Sequence, residues 1–461
     1  MVDLSHRSLN VLMLPWLAHG HILPYLELAK KLTRRNFHIY FCSTPVNLNS
    51  IKPNLSSADS SSYSNSIQLV ELHLPSFPEL PPRYHTTKGL PPHLMPLLEK
   101  ASNMSRPNIT NIIRTLKPDL IIYDYHLRNW VPRLAFSLKI PAITFLTNGA
   151  ALITFLYHYM KKKDEEFPFS ELCKDDLKEK FVQMDLTSSS NNPSEQHEKG
   201  DGHHEDVEWK GPFSSMVLLK SFRDLEGKYM DYLYASFGIK MIPVGPLVPD
   251  LVNNDDNEGT DIINWLDKKE KWSTVFVSFG SECYLSKEDM EEMAHGLELS
   301  KVNFIWVIRF PEGDKVKLED ALPHGFLERV REKGMVVENW APQLKILSHS
   351  SIGGFVSHCG WSSVMESIKF GVPIIAIPMQ LDQPWNARVV ISSGVGLEIE
   401  KRKNKRLIER ENVAKVIREV MVEKTGEDVR RKVIKMSDNL KRQVEEEMDR
   451  VEKELTQICG I

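Results

Sequence analysis

Apolar and polar positions along this chain alternate between two periods. Leu9 to Pro15, apolar but for Asn10, is of strand length and reads as a buried strand, followed by a short loop, Trp16 to His21. Ile22, Leu26, Ala29 and Leu32 then recur at the spacing of one helical face, and Phe37 to Ser43 is strand-like again. Ile67 to Leu74, Leu120 to Tyr125 and Ala142 to Leu146 are further strands, with a helical stretch near Ile109 to Leu116. Continuous apolar strands separated by amphipathic helices predict a parallel sheet covered on both faces.

The alternation breaks at Leu186 to Glu205, a stretch of Ser, Asn, Glu, His and Gly with almost nothing to bury, which reads as a surface loop. Val244 to Gly259 carries prolines, glycines and an acidic run and reads as an interdomain linker. Strands then resume at Thr274 to Phe279, Asn303 to Arg309, Met335 to Val337, Gly354 to Ser357 and Ile374 to Ile377. Helices are expected between them, around Glu288 to Leu299, Phe326 to Lys333, Ser363 to Lys369 and Pro384 to Ser392. The organisation is therefore an α/β domain over 1–243, a linker over 244–259, a second α/β domain over 260–439 and a terminal helix over 440–461. Leu440, Val444, Met448, Val451 and Leu455 form one stripe on that helix, short enough to pack on its own protein rather than in a coiled coil. Two doubly wound domains of this kind leave a cleft at the carboxyl ends of their strands, where open α/β sheets bind ligands.

The length of 461 residues suits two cores. Lys and Arg total 58 against 62 for Asp and Glu, so nothing in the net charge of -4 calls for nucleic acid or an anionic membrane as partner. No apolar stretch is long enough to span a bilayer, and the polar run Met1 to Asn10 lacks the features of a signal peptide, so a cytoplasmic location is expected. Cys42, Cys173, Cys283, Cys359 and Cys459 are scattered without metal or redox spacing, and a disulfide framework is not expected. The sequons at Asn54, Asn103 and Asn108 read as chance. His197, His203, His204, Glu205 and Asp206 fall in the low-complexity loop, where no fixed geometry would hold a metal. Lys401 to Arg406 reads as a solvated turn, and His126 and His349 as ordinary surface or packing residues.

Neither the dinucleotide glycine fingerprint nor a P-loop lysine motif occurs. The densest chemistry lies in Trp340 to Gln383, WAPQLKILSHSSIGGFVSHCGWSSVMESIKFGVPIIAIPMQLDQ. A strand ending near Ser357 opens through His358-Cys359-Gly360-Trp361-Ser362-Ser363 into a helix. Small residues at a helix start let backbone N–H groups approach a phosphate, whose charge the helix dipole favours. Glu366, a turn further on, can accept hydrogen bonds from ribose hydroxyls, and Trp340 can stack on a flat base.

This segment resembles the signature box of the plant secondary-product glycosyltransferases, which use uridine diphosphate (UDP) sugars and adopt the two-domain GT-B fold. Val277-Ser278-Phe279-Gly280-Ser281, Trp306-Val307 with Arg309, and Pro15 through His21 to Pro24 extend the resemblance over nearly the whole chain. It implies that Trp340 stacks on uracil, that the Ala341 backbone bonds the uracil edge, and that Gln343 and Glu366 hold the ribose. His358, Gly360, Ser363 and the Ser281 loop would meet the diphosphate, and Trp361, Asp382 and Gln383 the sugar hydroxyls, Gln383 being usual with glucose. Ser362 stands where many members have Asn.

An acceptor hydroxyl must lose its proton as it attacks the anomeric carbon, and histidine is the natural base near neutral pH. The loop after the first strand offers His19 and His21. By resemblance His21 is the catalytic base and Asp124 its partner; His19 reads as structural or acceptor-adjacent, Tyr125 is a candidate acceptor-pocket residue, and Trp16 and Trp385 either line that pocket or pack. Direct displacement inverts the anomeric centre. No Asp-x-Asp triplet occurs, so no metal or other cofactor is expected beside the UDP-glucose co-substrate. His73-Leu74-Pro75, His85 to Pro92 and Ser221 to Tyr229 look like the branch that adds a sugar to an existing small-molecule glycoside. Glucosylation of an aglycone is the alternative, and a nucleotide-sugar epimerase or a non-catalytic sensor are remoter ones.

Overall fold

The computed structural model describes residues 8–55, 63, 66–162, 164–173, 177, 216–251, 259–281, 283–311, 316–400 and 408–460. The stretch 186–205 with its histidine cluster, residues 252–258 of the linker, and Lys401 to Arg406 lie outside them. The chain forms two compact units: Met1–Arg223, Gly227–Leu247 and Val444–Ile461 make the first, Asp224–Glu226 and Val248–Gln443 the second.

The first unit is built on seven strands: β1 (Leu9–Leu14), β2 (Phe37–Ser43), β3 (Ile67–Glu71), β4 (Leu120–Asp124), β5 (Ala142–Leu146), β6 (Met216–Leu219) and β7 (Lys240–Pro243). They pair in parallel in the order β3-β2-β1-β4-β5-β6-β7. Side chains alternate across the sheet with a period of two. Val11 and Met13 of β1 and Leu120 and Ile122 of β4 face one core, which contains Ile22, Leu26 and Leu32 of the helix His19–Thr33. Leu12 and Leu14 of β1 and Ile121 and Tyr123 of β4 face the other, with Ile109 and Ile113 of the helix Arg106–Leu116. Helices thus cover both faces, as the continuous apolar strands require.

The second unit holds β8 (Thr274–Ser278), β9 (Asn303–Ile308), β10 (Gly334–Glu338), β11 (Ile352–Ser357), β12 (Ile374–Ala376) and β13 (Gly396–Glu398). The order is β10-β9-β8-β11-β12-β13, again all parallel. Val275 and Val277 face one core and Phe276 the other.

In each sheet the order reverses direction once, between β1 and β4 in the first and between β8 and β11 in the second. At such a switch point the two connections leave on opposite sides, opening a crevice at the carboxyl ends of the two strands. Chemistry-bearing residues are therefore sought after β1 and β4, and after β8 and β11.

The terminal helix differs from its expected start. It runs from Lys424 to Ile458, so the stripe from Leu440 is its second half. Met448, Val451 and Leu455 are fully buried in the first unit's core. Among the described residues, no helix is long and apolar enough to cross a membrane.

Because Leu455 is completely buried, Leu455→Ala is expected to cost roughly 2–5 kcal/mol, against about 0.5 kcal/mol for exposed Lys453→Ala. Urea denaturation of both variants checks this; equal midpoints would show that the helix end contributes no core.

Candidate active site

In the first unit, β4 delivers Asp124 to the switch point with the residue only 1% exposed. The helix His19–Thr33 starts after the neighbouring β1 and places His21 in its first turn. His21 Nδ1 lies 2.7 Å from Asp124 Oδ2, with Thr147 Oγ1 3.2 Å from the same nitrogen. An ionised carboxylate only accepts, so Nδ1 carries the hydrogen and Nε2 keeps a lone pair.

The other carboxylate oxygen is also occupied. Asp124 Oδ1 accepts from the His126 backbone N–H at 3.2 Å and from its ring Nδ1 at 2.8 Å. Burial by itself would raise the Asp124 pKa. The positive charge that His21 carries once protonated, and the hydrogen bonds from His126 and His21, outweigh that and hold the carboxyl well below the usual carboxylate range. The same three side chains offer metal-ligand atoms within 4.8 Å of one another. Their N···O separations of 2.7 and 2.8 Å are those of charge-assisted hydrogen bonds, which account for the arrangement.

In the second unit, β8 and β11 bring the Gly280 turn against His358. Gly280 has φ +75°, and a Cβ there would lie 2.8 Å from His358 Cε1; one on Gly360 would lie 2.5 Å from His358 Nε2. Only glycine lets both loops close on the imidazole. Cys359 between them is left-handed at φ 63°, a conformation that re-aims the chain into the helix Trp361–Lys369. Gly360 caps that helix with no side-chain hydrogen bond, so the positive end of its dipole faces the switch point. Burial pushes His358 down to about 4, which makes it a neutral imidazole near pH 7, and its Nδ1 has no hydrogen-bond partner among the described residues.

The other box residues form three groups. Gln343 Nε2 donates to Glu366 Oε2 at 2.6 Å and to Ser363 Oγ at 3.2 Å, which brings these three side chains together. Trp340, just beyond β10, is 48% exposed and open to a flat ring, while Ala341 beside it is buried. Asp382 stands at the start of the helix Gln383–Ser392, where Asn386 Nδ2 donates to its Oδ2 at 2.9 Å and to the Cys359 carbonyl at 3.0 Å. Gln383 is turned inward: its Oε1 accepts from the backbone N–H groups of Met379 and Gln380 at 3.0 and 2.9 Å. Trp361 is likewise buried, Ser362 is partly buried, and Ser281 is exposed.

The acceptor-pocket candidates fare unequally. Trp385 is fully buried, so it packs inside the second unit and does not line an open pocket. Trp16 is buried and stacks on His126 with ring centroids 4.6 Å apart and planes 13° apart. Tyr125 is partly buried, its ring covered by the Arg128 guanidinium at 3.8 Å. His19 is partly buried, and burial followed by the Lys88 charge lowers its pKa. Sequence reasoning read His126 as an ordinary surface or packing residue and left out Asn386. The one signal was spacing: His126 is two residues beyond Asp124 and Asn386 one helical turn beyond Asp382.

Comparison with known proteins agrees with this picture. Residues 236–451 match the family model described as UDP-glucoronosyl and UDP-glucosyl transferase. Residues 7–249 match the glycosyltransferase N-terminal domain. The chain is 54% identical over 454 residues to a mogroside IIIx synthase of Siraitia grosvenorii, covering 98% of this chain and 93% of the relative. It is 47% identical over 447 residues to the beta-D-glucosyl crocetin beta-1,6-glucosyltransferase of Gardenia jasminoides, covering 97% and 98%. A Glycyrrhiza uralensis UGT solved with glycyrrhetinic acid 3-O-monoglucuronide shares the fold at a TM-score of 0.80 and 22% identity, over 98% of this chain and 96% of that one. The chain belongs to the UDP-glycosyltransferase family. It is an enzyme of GT-B fold that uses a UDP-sugar donor and a small-molecule acceptor.

His358 gives a pH test. Its folded pKa lies below the unfolded value, so the unfolded chain takes up a proton that the folded chain refuses. The stability is complete above pH 6.5 and is lost as pH falls towards about 4. Between pH 6.5 and 5 the loss from this residue reaches up to about 2 kcal/mol. His358→Gln should lose that much less than the unsubstituted protein when urea unfolding is compared at the two pH values. Equal losses would show that His358 is not held neutral by burial.

Proposed function

We propose that this enzyme transfers glucose from UDP-glucose to a sugar hydroxyl of a small plant glycoside, with inversion at the anomeric carbon and without a metal ion. The observation that carries the chemistry is the 2.7 Å contact of His21 with buried Asp124, which leaves Nε2 with a lone pair for an acceptor hydroxyl. His21 takes the hydroxyl proton as that oxygen attacks the anomeric carbon and UDP departs. Asp124 fixes the tautomer and stabilises the imidazolium without taking the proton. The acceptor class draws support from the Gardenia relative, whose name makes a glucosyl compound its acceptor.

On the donor side, Trp340 stacks on uracil, the Ala341 backbone meets the uracil edge, and Gln343 with Glu366 holds the ribose. The diphosphate is taken by the start of the helix Trp361–Lys369 with His358, Gly360, Ser362, Ser363 and the Ser281 loop. Asp382, Gln383 and Trp361 meet the sugar. The orphaned Nδ1 of buried His358 fits a ligand atom there, and a helix start whose N-cap is a glycine supplies the positive potential that a metal would otherwise provide.

Three outcomes test the reading. With chelator present, UDP-glucose should glucosylate a panel of monoglucosides and leave their aglycones untouched, as read by product mass. Products from aglycones alone would overturn the acceptor class, and activity that needs an added divalent ion would overturn the metal-free mechanism. His21→Ala should lower kcat by about 10²–10⁴-fold with UDP affinity retained. Glu366→Ala should raise the donor KM about tenfold at little cost in kcat, the loss of roughly 1.4 kcal/mol from a charge-assisted ribose contact; an unchanged KM removes the ribose role.

A further inference from the structure

Asp124 performs two tasks at once. It orients His21 through Oδ2, and through Oδ1 it caps the short turn Tyr125–Leu127 by accepting the His126 backbone N–H. The capping bond is the longer one, at 3.2 Å. A carboxylate rotates about its last side-chain torsion in a broad, two-fold well, so a single weak bond to Oδ1 would leave the direction of Oδ2 poorly fixed. The His126 ring supplies the missing restraint. Its Nδ1 donates to Oδ1 at 2.8 Å, in a charge-assisted bond as short as those expected to fix geometry.

The ring is itself held. One face lies on Trp16, with centroids 4.6 Å apart and planes 13° apart, and Trp16 is buried at the end of the β1 strand run. The His21 ring meets it edge-on at 5.3 Å and 77°. Tyr125, covered by Arg128, meets it at 6.5 Å and 82°. An indole therefore fixes an imidazole, the imidazole fixes a carboxylate, and the carboxylate fixes the base. The His126 side chain is 40% exposed, so the protein does not need it to fill a core.

We propose that His126 is a positioning residue for the acceptor-activating pair, locking the Asp124 carboxylate so that Oδ2 stays aimed at His21 Nδ1 while the acceptor hydroxyl passes its proton to Nε2. The proposal rests on the reading of His21 as base. No proton moves to Asp124 or His126 in the step: the acceptor O–H bond breaks as Nε2–H forms, while the acceptor oxygen bonds the anomeric carbon and that carbon's bond to the departing UDP oxygen breaks. Because His126 touches neither donor nor acceptor in this role, its loss acts on kcat and not on donor binding.

The test compares His126→Phe, which keeps a ring on Trp16 and removes the donor, with His126→Asn, whose amide N–H stands near the place of Nδ1. With UDP-glucose and an acceptor glycoside, His126→Phe should lower kcat about 10–100-fold, the usual effect of removing a partner that orients a reactive group. Donor KM and the Kd for UDP should stay within twofold, and His126→Asn should recover most of kcat. A His126→Phe kcat within twofold of the unsubstituted enzyme overturns the proposal, as does a His126→Asn variant no faster than His126→Phe. His21→Ala, assayed in parallel, separates the two readings: if it retains transfer, the base assignment itself falls, and if it alone loses transfer, only the role of His126 falls.

Discussion

A carboxylate sealed from water at the end of a central strand sets the terms for the first unit. All five residues of β4 are buried, so Asp124 cannot reach solvent to satisfy its charge. An ionised carboxylate in that position costs several kcal/mol unless donors surround it. The fold supplies them from two directions. The helix after β1 brings His21 to one oxygen, and the turn after β4 brings the ring and backbone of His126 to the other. The first direction depends on the strand order, since β1 and β4 are sequence-distant strands made neighbours by the reversal of the sheet; the second is local to the turn after β4. The resulting negative charge lies beside an imidazole in the first turn of a helix, where the dipole disfavours a cation. The carboxylate offsets that penalty and so favours a histidine that accepts a proton.

The second unit uses the same topological device with the opposite sign. At the reversal between β8 and β11 the described residues seal in no acidic group; a helix start whose N-cap glycine makes no side-chain hydrogen bond, a left-handed Cys359 and a neutral imidazole stand there instead. Gly280 and Gly360 matter through what they allow, because a Cβ at either would collide with His358. Asn386 ties the loop at Cys359 to Asp382 with two hydrogen bonds from one amide nitrogen. One unit thus stores a negative charge suited to a developing cation, and the other presents a positive potential suited to an anion. In the proposed reaction these are the protonated base and the departing diphosphate.

The sequence made the architecture readable where strands were long and apolar: Phe37–Ser43 and Ala142–Leu146 occupy the residues their patterns indicate. Met216–Leu219, Lys240–Pro243 and Gly396–Glu398 were not legible, because three or four residues are too few to show a period. The pairing of His21 with Asp124 could be anticipated from strand ends and family resemblance. The place of His126 could not, since it depends on the turn that follows β4 and on an indole from the loop after β1. Trp385 misled for a related reason. It sits two residues beyond Gln383, yet the start of its helix is buried on every side, leaving no polar face by which to judge where the indole lies.

Gln383 shows how far a motif residue and its geometry can diverge. Both N–H groups that its side-chain oxygen accepts belong to its own loop, at 3.0 and 2.9 Å, and its nitrogen lies 3.5 Å from Cys283 Sγ. A sugar hydroxyl that binds this amide must share or replace bonds already made. The net gain from such an exchange is the modest difference between two neutral hydrogen bonds, about 0.5–1.5 kcal/mol. Choice among donor sugars that differ at one hydroxyl needs more than that to be strict. In the proposed donor site, Gln383 would therefore add to its modest sugar contact by holding the loop of Met379 and Gln380 in place. On the proposed reading, discrimination would fall mainly on the Asp382 carboxylate, which Asn386 anchors at 2.9 Å.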